Sequence, residues 1–341
     1  AQWIPQGQGL LPSRYGISDI AVVDENTVWV LATTNVVSTV LDTAIILRST
    51  DGGDTWQKII LEQFPDRYVL FIDAIDADTA WLSMGAPNAD QYIYRTEDGG
   101  ASWQEQLMLP AVFNVPWAPA IKFLHNEKGY FIDLIKSVSG SSPNGGLSWG
   151  ITSTPTLESN EYWGVNTSQN WFDVKGDTIW WGTSKRIFRS TDQGATWNDF
   201  FPGFLGNNQI TSLSFNPQGL GLAISDSDLD LPYIPSFLSE TIVAKSTDFG
   251  ETWNVLGNNV PFPLTVITEV PGMSNTFMAA SGFWEWYDPI IKLSWASAYT
   301  TDGGENWVVI DRDIPYHAIG FASASTGWVG RIGNHDYGQD N

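Results

Sequence analysis

The chain has 341 residues, of which 16 are Lys or Arg and 38 are Asp or Glu, so its formal net charge is −22. This acidity argues against binding of nucleic acid or of anionic lipid, because both need a basic surface. Cysteine is absent, which excludes disulfides and thiolate metal sites, and no apolar run approaches the roughly 20 residues of a membrane-spanning helix.

The remaining composition indicates an all-β protein. Hydrophobic residues make up 43% of the chain, and there are 18 Trp, 32 Gly and 18 Pro. Many turn formers with many large aromatics are typical of sheet packed on sheet. The chain starts at Ala1 with neither Met nor an apolar leader, so we expect a mature secreted or surface protein. A trimmed cytosolic protein would begin in the same way.

An eight-residue motif, Ser/Thr-x-Asp-x-Gly-x-x-Trp, recurs along the chain, and one copy has Asn in place of Asp. Successive copies are separated by 47, 46, 48, 56 and 54 residues, about the length of a four-stranded propeller blade. The repeated positions are Asp51 and Trp56, Asp98 and Trp103, Asn144 and Trp149, Asp192 and Trp197, Asp248 and Trp253, and Asp302 and Trp307.

The chemistry of this octet favours a structural role. An Asp side chain can accept hydrogen bonds from N–H groups of its own turn, and the Gly two residues later can adopt a positive φ. The Trp offers a large apolar surface for packing between sheets. We therefore interpret the octet Asp residues as side chains that stabilise their hairpin turns, and we interpret none of them as a catalytic acid.

A second signature, Thr-x-Trp after a polar turn, is clearest at Thr27–Trp29, Thr79–Trp81 and Thr178–Trp180. We interpret it as a hairpin that joins the innermost strand of a blade to the second strand. Seven such hairpins and six octets predict an all-β, seven-bladed β-propeller of four-stranded antiparallel blades. In this prediction the N-terminal strand pairs with the C-terminal strands, which closes the ring and removes sheet edges.

The predicted propeller is a single domain over residues 1–341. The segment after Arg331 is polar and lacks a clear third strand, so we expect the natural chain to continue or the last blade to be incomplete. The predicted blades span residues 14–62, 66–109, 118–155, 168–202, 209–258, 264–310, and 315–332 together with 1–10.

The octets resemble the Asp-box, or BNR, repeat, and the resemblance covers essentially the whole chain. This repeat occurs in sialidases, xyloglucan-cleaving glycosidases, sortilin-type receptors, photosystem II assembly factors and secreted surface proteins of the Bacteroidota. The resemblance implies a β-propeller of the sialidase-like superfamily but no particular activity. The Arg-Ile-Pro motif that opens the sialidase propeller is absent, since Arg14 is followed by Tyr15 and Gly16. We assign no catalytic residue.

Three arginines are candidates for an anion pocket. Arg14, Arg67 and Arg312 each precede a predicted innermost strand, and ring closure would make their blades neighbours. Guanidinium groups suit carboxylate ligands because they bind them through paired hydrogen bonds. Scattered surface arginines, paired with the adjacent acids, are the alternative.

Aromatic residues in the long loop of the sixth blade are a second candidate ligand surface. Loops between second and third strands share the channel-entrance face with the loops that connect blades. Exposed aromatics there suit sugar rings or protein anchors, and a local mini-core is the alternative. The residues are Trp284, Trp286, Tyr287 and Asp288.

Metal and modification signals are weak. Asp226, Asp228 and Asp230 alternate in a way that could hold Ca²⁺, but they lack the Gly turn and distal Glu of a calcium loop, so a solvated acidic loop is the alternative. The three His are scattered and form no zinc motif, and we predict no cofactor. Thr43, between Asp42 and Ala44, fits the O-glycan acceptor of the Bacteroidota.

These observations predict a secreted or cell-surface, non-enzymatic propeller that binds an extracellular protein or glycan partner as part of an assembly. The alternative is a glycoside hydrolase of the sialidase-like superfamily. The acidity disfavours a photosystem assembly factor. The oligomeric state stays open, and we expect neither a nucleic-acid partner nor membrane insertion.

Overall fold

The computed structural model describes residues 2–34, 43–87, 90–111, 118–125, 127–133, 135–159, 161, 170–203, 209–226, 241–257, 259–282 and 295–331. The regular structure within these ranges consists of β-strands joined by turns. The described residues contain no helix that is long and apolar enough to cross a membrane.

Three four-stranded sheets form one compact unit, Trp3–Ser153. All pairs are antiparallel and follow chain order, and we call each sheet a blade. Blade 1 contains β1 (Tyr15–Val22), β2 (Val28–Thr34), β3 (Ile45–Ser49) and β4 (Gln57–Ile60); blade 2 contains β5 (Tyr68–Ala74), β6 (Ala80–Gly85), β7 (Gln91–Thr96) and β8 (Gln104–Leu109); blade 3 contains β9 (Ala120–Phe123), β10 (Gly129–Asp133), β11 (Val138–Ser142) and β12 (Gly150–Ser153).

The second compact unit includes Thr154–Val329 and contains three more blades of the same design. The hairpin that follows them begins in this unit, and its last two residues, Gly330 and Arg331, belong to the first unit. Blade 4 contains β13 (Phe172–Lys175), β14 (Thr178–Gly182), β15 (Ile187–Ser190) and β16 (Asn198–Phe200); blade 5 contains β17 (Gln209–Phe215), β18 (Gly221–Asp226), β19 (Ile242–Ser246) and β20 (Asn254–Gly257); blade 6 contains β21 (Val266–Glu269), β22 (Phe277–Ser281), β23 (Ala296–Thr300) and β24 (Val308–Arg312); the hairpin contains β25 (Tyr316–Phe321) and β26 (Gly327–Arg331).

The prediction of seven four-stranded blades, closed by an N-terminal strand, is wrong. The described residues form six four-stranded blades, and the expected seventh is the two-stranded sheet of β25 and β26. Residues 2–14 contain no strand. Gly7 and Gly9 adopt positive φ angles of 64° and 78°, which break an extended segment. This segment instead contacts blade 1, where Lys58 Nζ donates to the Leu10 carbonyl at 2.8 Å.

Burial changes in a regular way across each blade. The second strands, such as β6, β10 and β22, are buried along their whole length, whereas the fourth strand β12 is exposed throughout. A strand buried on both faces reads as a continuous apolar run, and this is the pattern of the second strands. The core of each unit therefore lies between neighbouring blades, around the second strands.

Tryptophan residues of the second strands fill the space between blades. Trp81 of blade 2 stacks on Phe123 of blade 3 with ring centroids 3.8 Å apart, and Trp180 of blade 4 stacks on Phe215 of blade 5 at 4.1 Å. The octet Trp residues are mostly half-buried at the margin of these clusters. As expected, octet Trp residues pack against these clusters, and Trp103 is itself buried. The fully buried indoles are those of Trp29, Trp81, Trp180 and Trp181.

Candidate functional site

The octet carboxylates are occupied by hydrogen bonds of their own turns. Asp51 Oδ1 accepts from the Thr55 N–H at 2.9 Å, and Oδ2 accepts from the Thr55 hydroxyl at 2.5 Å. Ser49 Oγ donates to Asp51 and accepts from the Gly53 N–H, both at 2.8 Å. Gly53 has a φ of 91°, which a β-carbon would resist.

The other octets have the same geometry. In blade 2, hydrogen bonds from the hydroxyl and N–H of Ser102 lower the pKa of Asp98 to about 2. Asn144 takes the acceptor role in blade 3, where its Oδ1 receives the Ser148 N–H at 3.0 Å. Ionised carboxylates whose oxygens are already hydrogen-bonded are poor proton donors, so these positions hold the turns and offer no acid catalysis.

A basic residue three positions before the octet Asp reaches the next blade in four cases. Arg189 NH1 lies 2.9 Å from Glu251 Oε1, and Lys245 Nζ lies 3.3 Å from Glu305 Oε1. Arg95 is ion-paired with Glu127 at 3.5 Å. Arg48 behaves in the same way, donating to the Ala77 carbonyl of blade 2. These cations therefore bridge neighbouring blades.

Carboxylates also join the innermost strands. Asp19 of β1 accepts the Ile72 N–H of β5 at 2.8 Å, and Asp73 of β5 accepts the Phe123 N–H of β9 at 2.5 Å. Asp73 is also 3.4 Å from Lys122 Nζ. Burial raises the pKa of Asp19 to about 7, against the lowering effect of its backbone hydrogen bonds, and the nearby Asp73 adds to the increase.

The second unit has a related cluster on its innermost strands. Lys175 Nζ of β13 lies 2.7 Å from Glu269 Oε1 of β21 and 3.7 Å from Asp173 Oδ1. Burial alone would lower the pKa of Lys175, but the two carboxylates raise it above its ordinary value. The lysine is therefore held as a cation that ties blade 4 to blade 6, and it is not available as a base.

A buried ion pair anchors the connection into blade 4. Arg186 donates from Nε to Glu161 Oε1 at 3.1 Å and from NH2 to Oε2 at 2.5 Å, while the Thr183 hydroxyl donates to Oε1 at 2.5 Å. The Glu161 side chain is completely buried and that of Arg186 is 9% exposed. Burial raises the pKa of Glu161, but the hydrogen bonds from Arg186 and Thr183 outweigh this and hold it below the ordinary value.

A surface pocket lies where the connection between β4 and β5 meets the connection between β6 and β7. Its volume is about 420 Å³. Successive reverse turns shape one wall, since the Phe64 N–H donates to the Leu61 carbonyl at 2.9 Å and the Arg67 N–H donates to the Phe64 carbonyl at 3.3 Å. The lining residues are Phe64, Pro65, Asp66, Arg67, Pro87 and Tyr92.

Aromatic packing fixes the position of the pocket arginine. The Arg67 guanidinium carbon lies 4.4 Å from the centroid of the Tyr92 ring, a cation–π contact. Tyr92 is followed two residues later by Tyr94, whose ring centroid lies 6.1 Å away and whose hydroxyl donates to Glu105 at 3.2 Å. Phe64 is buried and packs on Tyr94 at 4.7 Å.

Arg67 differs from the arginines that bridge blades. Among the described residues its guanidinium contacts the Tyr92 ring and makes no ion pair, although Asp66 is its neighbour in the chain. A guanidinium that lies over a ring can still donate hydrogen bonds from its N–H groups to a further ligand. The pocket therefore offers a half-buried cation, without an ion pair among the described residues, beside two exposed proline rings, Pro65 and Pro87.

The three arginines of the predicted anion pocket belong to two compact units. Arg14 and Arg67 directly precede β1 and β5, as expected, and both belong to the first unit. Arg14 lies 5.9 Å from the centroid of the Tyr15 ring. Arg312 is the last residue of β24 in the second unit, where it pairs with Ala296. The joint pocket stays a prediction.

Other predicted site residues lie outside the described part of the chain. These are the loop residues Trp284, Trp286, Tyr287 and Asp288, and the acidic residues Asp228 and Asp230. Asp226 ends β18. Within the described ranges no group of three or more His, Asp and Glu side chains is arranged to hold a metal ion. Thr43 is described, and its carbonyl accepts the Tyr15 hydroxyl at 2.8 Å.

Sequence reasoning did not find two of the groups described above. Tyr92 and Tyr94 alternate around the buried Ile93, a pattern that places both rings on one face of β7. The pair Phe64-Pro65 directly precedes Asp66 and Arg67, so four of the residues that line the pocket are consecutive in the sequence. The Glu161–Arg186 pair gives no such signal, because its partners are 25 residues apart in irregular segments.

Comparisons with known proteins agree with this geometry. No model of a known protein family matches the chain. Xyloglucanase Xgh74A of Acetivibrio thermocellus is 27% identical over 195 residues, a match covering 54% of this chain and 20% of that protein. YCF48 of Cyanidioschyzon merolae is 15% identical, with a TM-score of 0.60 and 95% of each chain covered.

Two further structures extend this result. YCF48 bound to a D1 peptide is 18% identical, with a TM-score of 0.60, and the match covers 95% of this chain and 93% of that one. The GH74 xyloglucanase of Xanthomonas campestris has a TM-score of 0.61 and 14% identity, over 88% of this chain and 48% of that one. The fold is a β-propeller. This propeller spans about half the length of the Xanthomonas enzyme and a fifth of Xgh74A.

Proposed function

We propose that this chain is a secreted binding propeller that captures a segment of an extracellular protein partner at the pocket of Arg67 and Tyr92. The observation that carries the proposal is the Arg67 guanidinium, which lies over the Tyr92 ring and makes no ion pair among the described residues, in a pocket of about 420 Å³. YCF48, which has the same fold, binds a peptide of the D1 protein. The octet, blade-bridging and innermost-strand charges are already paired, which leaves this pocket as the best supported site among the described residues.

Selection from a phage-displayed library of random 12-residue peptides tests this function. We expect peptides that bind the wild-type chain and fail to bind a Pro87→Trp variant, because the indole at the exposed rim fills the pocket. Pro5→Trp, at an exposed position of the N-terminal segment, is the matched control and should bind normally. Peptides that bind both variants equally would place recognition elsewhere.

Glycan recognition is the other form of the binding function that we expected from sequence. A glycan array probed with the same three proteins examines it directly. We expect no glycan whose binding depends on Pro87, because the Tyr92 ring carries Arg67 on one face and Phe64 is buried.

A second candidate function is hydrolysis of a β-glucan such as xyloglucan. It is favoured by the match to Xgh74A and by Asp19 and Asp73, which lie on neighbouring innermost strands. Glycosidases pair two carboxylates, one of which has a raised pKa and acts as the acid, and Asp19 has such a pKa of about 7. Asp19 is only 7% exposed, however, and both of its oxygens accept backbone N–H groups. Release of reducing ends from xyloglucan, abolished by Asp73→Asn, would support this second function.

A further inference from the structure

The ligand chemistry of the pocket follows from the state of Arg67, and this inference rests on the proposed binding function. A guanidinium without an anion partner is a strong donor, because it presents fixed N–H pairs that match a carboxylate. Arg48, Arg95, Arg186 and Arg189 each contact a carboxylate of the protein itself, at 2.5–3.4 Å in the shortest case of each. Arg67 lies on Tyr92 instead, with its donors unused among the described residues.

The Tyr92 ring preorganises the Arg67 side chain for binding. The contact at 4.4 Å between Arg67 and the Tyr92 ring limits the rotamers of the arginine, so less side-chain entropy is lost when an anion binds. The ring of Tyr94 contacts Tyr92, and the hydroxyl of Tyr94 donates a hydrogen bond to Glu105 that fixes this neighbouring ring. The position of the donors is therefore set before the ligand arrives.

The pocket walls argue for a peptide and against a saccharide. A sugar ring stacks on an open aromatic face, but Arg67 covers one face of Tyr92 and Phe64 is 7% exposed. The exposed apolar surfaces are the rings of Pro65 and Pro87, which suit contact with apolar side chains of an extended peptide.

The charge of the whole protein limits the number of anionic groups on the ligand. With a net charge of −22, the chain repels polyanions such as uronic-acid polymers or strongly acidic peptides. Asp66 at the pocket edge adds to this repulsion locally. A ligand with a single carboxylate between apolar neighbours meets Arg67 without that penalty.

We propose that the Arg67 pocket recognises one carboxylate of an extended peptide, with apolar residues beside it in contact with Pro65 and Pro87. The carboxylate belongs either to a peptide C-terminus or to an Asp or Glu side chain. Arg67 binds it through its paired N–H groups, and Tyr92 positions Arg67.

The test uses peptides selected on the wild-type chain, each made as the free acid, as the C-terminal amide, and with every Asp or Glu replaced by its amide. We expect removal of one carboxylate to weaken binding about tenfold or more, consistent with loss of a charge-assisted hydrogen-bond pair. Loss in the C-terminal amide identifies a chain terminus, and loss in the Asn or Gln peptide identifies a side chain.

Variants of the protein complete the test. Arg67→Gln should weaken binding of the acid peptide about tenfold and leave binding of the amide peptide unchanged. Arg67→Lys keeps the charge but not the planar guanidinium, so its affinity for the acid peptide should lie between those of the wild type and Arg67→Gln. Arg331→Gln removes an exposed guanidinium elsewhere and is the matched control. Melting temperatures within about 2 °C of the wild type would establish that the variants fold.

Two results would overturn the inference. One is equal affinity of the acid and amide peptides for the wild-type chain. The other is unchanged binding by Arg67→Gln, and in that case continued sensitivity to Pro87→Trp would leave the proposed function standing. Binding of polygalacturonate that is lost in Arg67→Gln would replace the peptide with an acidic saccharide. If binding of every selected peptide is unaffected by Pro87→Trp, the proposed function itself is rejected.

Discussion

Asp19 on β1 accepts the backbone N–H of Ile72 on β5 at 2.8 Å, so a buried side chain joins the innermost strands of blades 1 and 2. Its other oxygen accepts the Ile20 N–H at 2.8 Å. The same device recurs in the second unit, where Asp173 accepts the Phe215 N–H at 2.7 Å and Ser214 accepts the Glu269 N–H at 3.0 Å. These contacts link blades where no sheet pairing exists.

The Asp19 contact predicts a pH-dependent stability. Because burial raises the folded-state pKa from 3.8 to about 7, the folded chain binds a proton that the unfolded chain has released between these values. The contribution of Asp19 is therefore most favourable at low pH and falls as the pH rises from about 4 to 7, by about 4 kcal/mol in total. Urea unfolding at pH 5 and pH 8 measures this change.

Asp19→Asn is the control for this prediction, because it does not titrate. The stability advantage of the wild type over Asp19→Asn should be larger at pH 5 than at pH 8. A difference that stays constant between these pH values would mean that Asp19 is ionised in the folded protein throughout.

The buried Glu161–Arg186 pair predicts a large single-mutant effect. Glu161→Gln should destabilise the chain by about 3 kcal/mol, since it leaves Arg186 buried with Asp199, 3.1 Å away, as its near carboxylate. Glu161→Leu with Arg186→Met should recover much of this loss, because the double change removes both buried charges. A double-mutant cycle by urea unfolding gives the coupling, and additive losses would contradict a buried pair.

The octets predict different tolerance of Asn and Ala. Asp192→Asn should lower the melting temperature less than Asp192→Ala, because Asn144 already fills this role in blade 3 and accepts the Ser148 N–H. Ala removes the acceptors of the Thr196 N–H and hydroxyl, at 2.8 and 2.6 Å. Scanning calorimetry of both variants checks the order, and equal melting temperatures would show that the turn does not need the side chain.

The loop aromatics of blade 6 retain their own prediction, although they lie outside the described residues. Alanine at both Trp284 and Trp286 should abolish ligand binding with unchanged folding if that loop forms the ligand surface. The Arg67 pocket predicts instead that this double variant binds the selected peptides as the wild type does. Fluorescence anisotropy with a labelled peptide decides between the two surfaces.

Local patterns predicted the four-stranded antiparallel design of the blades, because each octet and each Thr-x-Trp turn contains its own hydrogen-bond partners within a few residues. Ser49, Asp51 and Thr55 fix one hairpin without help from elsewhere. The predicted number of blades was wrong because it depended on spacing and not on local hydrogen-bond partners. Trp3 resembles an octet Trp by spacing alone, and Gly7 and Gly9, with positive φ, prevent the strand that this spacing implied.

The candidate site was only partly predictable. Arg67 was identified by its place before an innermost strand, but its pairing state depends on Tyr92, which is 25 positions further along the chain. Arg48 and Arg95 occupy equivalent repeat positions, and their partners in the next blade are likewise distant in sequence. A single sequence does not reveal which arginine keeps its donors free, because that outcome is decided by contacts between blades.

The most direct measurement of the central claim is the side-chain Nε–Hε NMR signal of Arg67, assigned by its loss in Arg67→Gln, during titration with a selected carboxylate peptide. We expect the Arg67 signal to shift with the same dissociation constant as peptide binding, while the Arg331 signal stays in place. Saturating peptide that leaves the Arg67 signal unmoved would contradict the assignment of this pocket as the ligand site.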